Sequence, residues 1–459
     1  MYNEMLFNFS LKFLYGCYNL NIIILLGFGE RTGGISLKRI HYSWVILFVV
    51  FFSILVAGIV RSASGVFIVP FEIDFGWERS TISFAFALSL FLYGISGPFM
   101  AALIEVIGLK KMMISAMTML LVGVSLTLVM SKPWQLIFIW GIMIGLGSSL
   151  FLTVLSSHVV NQWFGKRRGL ALGILTASTA TGQLILLPLL AMLVESYSWK
   201  WAIGLVFILA FTMLFVIGLF MKNSPKEMGI LPYGIEQNMD VNENKQTKNP
   251  ITIAFHALLE AVKVKEFWLL AGSFFICGLS SSGLIGTHFI SYCLGFGFTA
   301  VAAASMLSLM GIFDLVGTTL SGWLSDRFDN RWLLFWYYGL RGLALLLLPF
   351  ALSKGSIVLL VLFSIFYGLD WIATVPPTVN ISRQIFGMEK SVVVYGWIFA
   401  AHQLGSAVAA SGAGWMYQTF NSYSWAFTLA GVFCLLASLF VLVIKKQERE
   451  ESAYQTLKF

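Results

Sequence analysis

Long apolar runs, separated by short polar breaks, fill most of the chain. Each run is about 20 residues long, which is the length an α-helix needs to cross a hydrocarbon core. Only 11% of the residues are charged, against about 25% in soluble domains, so there is too little polar surface for a water-facing exterior. The pattern predicts an all-α polytopic membrane protein with 12 transmembrane helices, and it leaves little room for β-barrel strands. We place the predicted spans near 42–69, 80–104, 110–131, 134–160, 168–193, 201–221, 266–290, 299–323, 332–352, 356–381, 391–416 and 424–444.

Lys and Arg are distributed unequally between the two sets of breaks. The poorer set holds only Arg79, Lys132, Lys200 and Lys354. By the positive-inside rule the richer set is cytoplasmic, which predicts a multi-pass protein of the cell membrane with both termini in the cytoplasm. The net charge of +8 is therefore interpreted as topology and not as a nucleic-acid surface. The richer set comprises Lys110-Lys111, Lys166-Arg167-Arg168, Lys222/Lys226, Arg327/Arg331, Arg383/Lys390 and Lys445-Lys446.

The domain organisation follows from the same pattern. We expect an N-terminal half at 38–222, a polar cytoplasmic linker at 223–265 that is partly disordered, a C-terminal half at 266–445 and a cytoplasmic tail at 446–459. Residues 1–37 are interpreted as an extension with a mis-annotated start. Their apolar run at 22–28 is too short to span. The codons of Gly33-Gly34 are compatible with a ribosome-binding GGAGG sequence, and the codon of Leu37, shortly after them, with a TTG start.

The two halves repeat one another. Glu105 corresponds to Asp326 at an offset of 221 residues, and Phe164-Gly165 correspond to Phe386-Gly387 at an offset of 222. The tripeptide Tyr-Ser-Trp at 197–199 recurs 226 residues later. Nearly constant offsets predict a duplicated six-helix unit, and therefore two pseudo-symmetric halves.

The links after spans 2 and 8 carry the motif with which the chain resembles the major facilitator superfamily. Residues 322–331 read Gly-Trp-Leu-Ser-Asp-Arg-Phe-Asp-Asn-Arg, close to the family's G-x-x-x-D-R-x-G-R/K. The first copy, at 101–111, has Glu in place of Asp and Val106 in place of Arg. In the family these charges latch the cytoplasmic helix ends in one state, so the resemblance implies a weaker latch in the N-terminal half. It assigns the latch to Glu105, Lys110, Asp326, Arg327 and Arg331.

Three further segments resemble the bacterial monocarboxylate and oxalate/formate-type transporters. They are the link before span 2 at 67–80, the link between spans 4 and 5 at 163–173, and the segment after span 6 at 224–234. The resemblance covers about residues 38–446. It implies a carrier of small organic anions that works as a monomer, with the lipid bilayer as its surroundings.

Charges inside the apolar runs are costly and therefore candidates for function. Arg61, in the outer half of span 1, stands where the related animal transporters carry a substrate-binding Lys before Ser, and its planar fork suits a carboxylate. The alternative is an arginine that snorkels to the headgroups. Asp314 in span 8 matches an Asp of the same relatives, but Thr318 stands where they have Arg. Because a carboxylate in low dielectric readily takes up a proton, Asp314 is a candidate for proton coupling, and the alternative is a structural pair.

Arg341 in span 9 and Asp370 in span 10 leave more than one interpretation open. Arg341 supplies the cation that position 318 lacks, or it pairs with Asp370 or Asp314, because buried charges usually pair. Asp370 is a second candidate for proton coupling. It is followed by Trp371 and, at 376–377, by two prolines that predict a break near the cytoplasmic end of span 10.

The remaining candidates are weaker. His402 in span 11 is a candidate proton relay, although a neutral buried histidine fits equally well, and His158 and His288 rank below it. Tyr93 and Tyr395 are candidate cavity residues beside substrate, with ordinary burial as the alternative. The four cysteines show no metal or redox spacing, so we expect neither a metal nor a cofactor.

These features favour a proton symporter of a small organic anion, a monocarboxylate in the first instance, over three alternatives. Exchange of two anions without a proton would use Arg61 and Arg341, with the aspartates structural. Drug export fits poorly with arginines in a cavity. A membrane sensor lacks an output domain. The chain has no G-x-S-x-G, H-E-x-x-H or Walker A motif, which argues against an enzyme and against ATP-driven transport.

Overall fold

A computed structural model describes residues 41–151, 153–235 and 250–445. The predicted extension at 1–37, the predicted tail at 446–459 and the centre of the linker lie outside the described residues. From Tyr42 onwards the described chain is almost entirely helical, as the apolar runs predict.

The N-terminal half contains spans 1 to 6. Span 1 is split by Ala63, and span 4 combines α-helical pieces with a π-helix. The bounds are Tyr42–Ser62 and Ser64–Phe75 (span 1), Arg79–Ile107 (span 2), Leu109–Thr127 (span 3), Pro133–Leu136, Ile137–Ile144, Gly145–Ser149 and Thr153–Trp163 (span 4), Arg168–Ser196 (span 5) and Trp199–Phe220 (span 6).

The C-terminal half contains spans 7 to 12. Spans 10 and 11 meet at Gly387, where φ is 76° and the backbone is not helical, so Val375–Phe420 comprises the second part of span 10 and the whole of span 11. Glycine adopts this left-handed conformation without the clash of a Cβ. The other bounds are Lys265–Gly278, Leu279–Ile285 and Gly286–Leu294 (span 7), Ala300–Ser325 (span 8), Asn330–Ser353 (span 9), Ile357–Asp370 (first part of span 10) and Ser424–Leu442 (span 12).

The expected number of spans agrees with the structure. Within the described residues, 11 helices are long and apolar enough to cross a membrane. The twelfth is span 4, whose pieces, among them the apolar Pro133–Ser149, are individually short because it is irregular. The fold is therefore the predicted one of two six-helix halves.

The irregular helices occupy equivalent positions in the two halves. Span 1 is split and its counterpart, span 7, has a π-helix at Leu279–Ile285. Span 4 has a π-helix at Ile137–Ile144 and its counterpart, span 10, is interrupted between Asp370 and Val375. Since interruptions free backbone groups to bond elsewhere and π-turns are frequent at functional sites, these four helices are where a site is expected.

The interruption of span 10 differs from its prediction. The prolines at 376 and 377 begin the second helical segment, and the break precedes them, at residues 371–374, in the middle of the span. The predicted position near the cytoplasmic end was wrong because proline is compatible with the first turn of a helix and disrupts the residues before it.

The linker is ordered on both sides of its undescribed centre. A short 3-10 turn, Pro225–Met228, follows span 6, and Tyr233 pairs with the link between spans 4 and 5 through its backbone N–H to Trp163 O (2.9 Å) and its carbonyl to Gly165 N (2.9 Å). A helix at Pro250–Ala261 precedes span 7, and its Phe255 packs between Phe99 and Trp397. Both flanks therefore pack on the bundle.

Candidate functional site

The bundle has two ends, which we name by the linker. The linker face is the end at which span 6 ends and span 7 begins, and the distal face is the end at which span 1 ends and span 2 begins. Between the two ends, a cavity of about 60 Å³ lies where the halves meet. Spans 1, 2 and 5 and spans 7, 8 and 10 line it with Arg61, Ser62, Ser64, Leu90, Gln183, Leu187, Ser282, Gly286, Thr287, Leu307 and Trp371.

Arg61 supplies the charge of this cavity. It belongs to the last turn of the first segment of span 1, next to the split at Ala63. Its guanidinium carbon lies 4.8 Å from the centre of the Tyr93 ring, a distance at which a cation is attracted to the ring face. Among the described residues no carboxylate forms an ion pair with Arg61. The cation thus faces a polar cavity inside the bundle and has an aromatic ring as its neighbour.

The hydroxyl and amide groups around Arg61 were not predicted from the sequence. Gln183 Nε2 donates to Ser62 Oγ at 2.9 Å, and Thr287 Oγ1 donates to the carbonyl of Ser282 at 3.0 Å in the π-helical part of span 7. One signal was available, because Gln183 is an isolated side-chain amide in the apolar run of span 5. The serines carried no such signal, since most serines in apolar helices bond only to their own backbone.

Arg341 is placed very differently. Its side chain has 0% exposure, and its Nε lies 2.5 Å from Asp370 Oδ2. Its Nη2 donates to the carbonyls of Asp370 (2.5 Å) and Trp371 (3.1 Å), and its Nη1 lies 2.9 Å from Cys277 Sγ. Arg341 and Asp370 therefore form the structural pair that was one of the open interpretations. Neither residue lines the cavity, and each of these four hydrogen bonds of Arg341 ends on an internal acceptor. The role of Arg341 as a substrate ligand stays a prediction, and this geometry does not favour it.

Asp314 is buried between spans 8 and 10. Its Oδ1 accepts from Thr318 Oγ1 at 2.9 Å, one turn along the same helix, and from the backbone N–H of Ile372 at 2.9 Å. The partner on span 10 is thus a peptide group inside the interruption. Thr318 supplies a neutral hydrogen bond and not a countercharge.

His402 and Tyr395 lie on span 11 and pack against span 7. The His402 ring packs against Phe274 and Phe399, with Nε2 3.5 Å from Ser281 Oγ. Tyr395 packs against Phe274 at 6.0 Å between ring centres. Neither side chain borders the cavity around Arg61, so their predicted roles in proton relay and substrate contact remain predictions.

The repeated loops make equivalent bonds within their own halves. Lys110 Nζ donates to Gly218 O near the end of span 6 at 2.7 Å, and Arg331 Nη1 donates to Ile444 O just after span 12 at 3.1 Å. Arg331 also pairs with Asp329 at 2.6 Å, and Arg327 lies over the Trp323 ring at 4.2 Å. Lys110 and Arg331 therefore each tie a loop to the last helix of their half. The latch role of these residues, with Glu105 and Asp326, remains a prediction.

Asn223 strengthens the loop of the N-terminal half, where the family motif is degraded. Its Oδ1 accepts from the backbone N–H of Lys110 at 2.9 Å, and its Nδ2 donates to Glu227 Oε1 at 2.6 Å. The side-chain hydrogen bond from Asn223 is the main reason that the pKa of the Glu227 carboxyl lies below its usual range. The segment after span 6 thus braces the loop from the side.

On the distal face, the halves are in direct contact. Arg79, at the start of span 2, pairs with Glu72 and lies 3.7 Å from the centre of the Tyr417 ring in the other half. Glu195, at the end of span 5, accepts from the backbone N–H groups of Ala300 and Val301, where its charge complements the positive end of span 8. These contacts join the halves on the distal side of the cavity.

Comparison with known proteins places this architecture in a family. The model of the Major Facilitator Superfamily matches residues 50–410 and 296–458. The Danio rerio protein named monocarboxylate transporter 12-B is 25% identical over 439 residues, covering 90% of this chain and 89% of that protein. An uncharacterised MFS-type transporter of Bacillus subtilis, YcxA, is 24% identical over 433 residues, covering 89% and 97%.

Solved structures share the fold at low identity. A crystal structure of a D-xylose–proton symporter superposes with a TM-score of 0.69 at 14% identity, covering 88% of this chain and 98% of that one. A crystal structure of a mutant form of the peptide transporter POT gives a TM-score of 0.67 at 15% identity, covering 87% and 94%. At these identities the likeness concerns the fold alone.

Proposed function

Because this chain belongs to the major facilitator superfamily, we propose that it is a secondary active transporter that moves a small organic anion, a monocarboxylate, together with a proton. The observation that carries the proposal is Arg61, a cation that lines a small polar cavity between the halves and has no carboxylate partner among the described residues. Arg61 is half-buried, and a cation inside the membrane is costly unless it is paired. An anionic substrate would supply the missing charge.

The cavity has the chemistry of a carboxylate site. The guanidinium fork of Arg61 can donate two parallel hydrogen bonds to one carboxylate, while hydroxyl and amide groups such as Ser64, Gln183 and Thr287 are near enough to bind polar atoms beside it. Tyr93 covers one face of the cation and thereby limits the directions from which the anion approaches. A volume of about 60 Å³ favours a molecule of a few heavy atoms.

We assign the coupled proton to Asp314. Its two hydrogen bonds both reach Oδ1, so the proton would bind at Oδ2 without displacing either donor. Asp370 ranks below it, because the Arg341 guanidinium, 2.5 Å from its Oδ2, favours the charged carboxylate. His402 ranks third, as a relay.

In the transport cycle, the halves would rock about the cavity. The contacts of Arg79 with Tyr417 and of Glu195 with the start of span 8 join the halves on the distal face, so they would separate to open that side. We place the linker face in the cytoplasm, with both termini, and the protein in the cell membrane, since the basic loops lie at that end. A single chain contains the whole cavity, which favours a monomer.

Uptake into proteoliposomes tests the proposal. The solutes are labelled lactate, pyruvate, acetate and oxalate, with a neutral sugar as control, each with and without an inward proton gradient. We expect gradient-driven accumulation of a monocarboxylate that is lost in Arg61→Ala, and uptake in Asp314→Asn that no longer responds to the gradient. Lys354→Ala, a change at the distal end of span 9, serves as the matched control and should transport normally.

Two other functions are outcomes of the same experiment. Uptake that ignores the proton gradient and requires a trapped anion inside would identify an exchanger. The Arg341–Asp370 pair weakens that interpretation, because it removes the second arginine on which exchange would depend. No transport of any anion would reject the carboxylate proposal and would favour a sensor with a transporter fold.

A further inference from the structure

The interruption of span 10 leaves backbone groups without helical partners. The first segment ends at Asp370 and the second begins at Val375. At such a junction the last carbonyls of one segment and the first N–H groups of the next lack i→i+4 partners. In a membrane interior each must find another partner, because there is no water to supply one.

Two charged side chains, from the helices on either side, supply these partners. Arg341 of span 9 donates to the carbonyls of Asp370 and Trp371, where the first segment ends. Asp314 of span 8 accepts from the N–H of Ile372, ahead of the second segment. A cation at a helix C-terminus and an anion before an N-terminus both match the helix dipole. Asp314 therefore caps the interruption by accepting the hydrogen bond of a free N–H group.

Spans 8 and 10 also approach closely at this level. A Cβ at Gly317, three residues after Asp314, would collide with the carbonyl oxygen of Leu369. The backbone of span 8 thus lies directly against the end of the first segment. Asp314 is carried on a helix that has little freedom relative to the residues it caps.

Trp371 connects the hydrogen-bonded interruption of span 10 to the cavity. It lies between Asp370 and Ile372, its carbonyl accepts from Arg341, and its side chain lines the cavity beside Arg61. Its ring also stands at 88° to that of Tyr367, with 5.8 Å between centres. A displacement of the peptide groups at 371–372 would therefore move part of the cavity wall.

We propose that Asp314 is a positioning residue: by holding the N–H of Ile372 it fixes the interrupted segment of span 10, and with it Trp371 in the wall of the Arg61 cavity. The inference rests on the proposed function in treating that cavity as the transport site. It goes further by giving Asp314 a role that depends on accepting a hydrogen bond and not on binding a proton.

Two substitutions separate these roles. Asp314→Asn keeps a carbonyl oxygen that accepts from Ile372 N–H and removes the titrating group. Asp314→Ala removes both. Asp314→Leu also removes both, and it preserves volume if the alanine variant fails to fold. Thr319→Ala is the matched control, because the Thr319 hydroxyl donates to Leu315 O of its own helix.

Labelling of residue 371 provides a readout that needs no substrate. Trp371→Cys is combined with each of these substitutions and treated with the small, uncharged reagent methyl methanethiosulfonate. The chain without the new cysteine measures labelling of the native thiols. We expect the alanine or leucine variant to change the labelling rate about 2- to 10-fold, which corresponds to the loss of one buried hydrogen bond. The asparagine variant and the Thr319 control should match the Trp371→Cys parent.

Equal labelling in the asparagine and the alanine or leucine variants would overturn the inference. Uptake by Asp314→Asn, with Trp371 intact, then tests the proposed function separately. Gradient-driven accumulation that persists in this variant would reject Asp314 as the proton site while leaving the labelling result untouched. In the alanine or leucine variant we also expect KM for the transported acid to rise more than kcat falls. The chief defect is the displacement of Trp371 in the cavity wall, which weakens binding of the acid.

Discussion

Arg61 and Arg341 are both arginines within membrane-spanning helices, yet their side chains have different surroundings. Arg341 is fully enclosed, and its three nitrogens reach Asp370, two backbone carbonyls and Cys277. Arg61 faces a cavity with the Tyr93 ring as its neighbour. The fold supplies hydrogen-bond partners to Arg341, and we propose that a ligand supplies them to Arg61.

This difference shows that the cost of a buried charge does not by itself identify a binding residue. Both arginines are costly in the bilayer, and both are candidates for that reason. The partners separate the two cases, because a guanidinium that bonds to a carboxylate, two carbonyls and a thiol inside the fold has little donor capacity left for a substrate. The following variants test that distinction.

Arg341→Gln is expected to have the largest effect, and the effect is on folding. It leaves the Asp370 carboxylate buried without its cation, which costs about 3–5 kcal/mol when one partner of such a pair is removed. Thermal unfolding in detergent, followed by fluorescence-detected gel filtration, measures the loss. Asp370→Asn should destabilise the protein similarly, because it strands the guanidinium.

The double variant Arg341→Gln/Asp370→Asn sharpens this result. It removes both charges and keeps groups that can bond to one another and to the carbonyls of the break. We expect it to be more stable than either single variant, with an interaction energy of about 0.5–3 kcal/mol in the double-mutant cycle. Additive losses would mean that the two residues act independently, contrary to the geometry.

Arg61→Gln is expected to lower transport by about 10- to 100-fold at an unchanged melting temperature. The loss corresponds to a charged hydrogen bond of about 1.5–3 kcal/mol, and the fold is spared because no carboxylate of the described chain depends on Arg61. Initial uptake rates per folded protein measure it. Arg61→Lys should recover part of the rate, since it keeps the charge and loses the fork.

Substitution of Tyr93 should have the smallest effect. Tyr93→Leu removes the aromatic face beside Arg61, a contact of about 0.5–2 kcal/mol, so we expect a several-fold rise in KM. Tyr93→Phe keeps the ring and should behave like the parent. A phenylalanine variant as impaired as the leucine variant would show that the hydroxyl, and not the ring face, matters.

Much of the architecture could be predicted from the sequence. The lengths of the apolar runs indicated the spans, because membrane helices must satisfy their own backbone and therefore show their bounds in hydropathy. The offset between Glu105 and Asp326 indicated the repeat. The prolines of span 10 predicted its break, but the break lies at residues 371–374, before the prolines, since proline disrupts the residues that precede it. The contacts of the linker flanks could not be predicted, because polar composition does not reveal pairing such as that of Tyr233 with Trp163.

The site was harder to predict, because it depends on which helix faces meet. Arg61 and Asp314 could be proposed from their cost in the bilayer, yet nothing in the sequence distinguished the surroundings of Arg61 from those of Arg341. Ser282 and Thr287 could not be found from sequence, since their contribution depends on a π-helical turn. The bond from Ile372 N–H to Asp314 joins residues 58 positions apart, which no local pattern encodes.

One measurement tests the central distinction most directly: proton-driven uptake of a labelled monocarboxylate by Arg61→Gln and by Arg341→Gln/Asp370→Asn, each normalised to the folded protein in the vesicles. Our account predicts that the double variant transports within a few-fold of the parent chain and that Arg61→Gln does not. Normal uptake by Arg61→Gln, together with loss of uptake in the folded double variant, would contradict it and would return Arg341 to the substrate site.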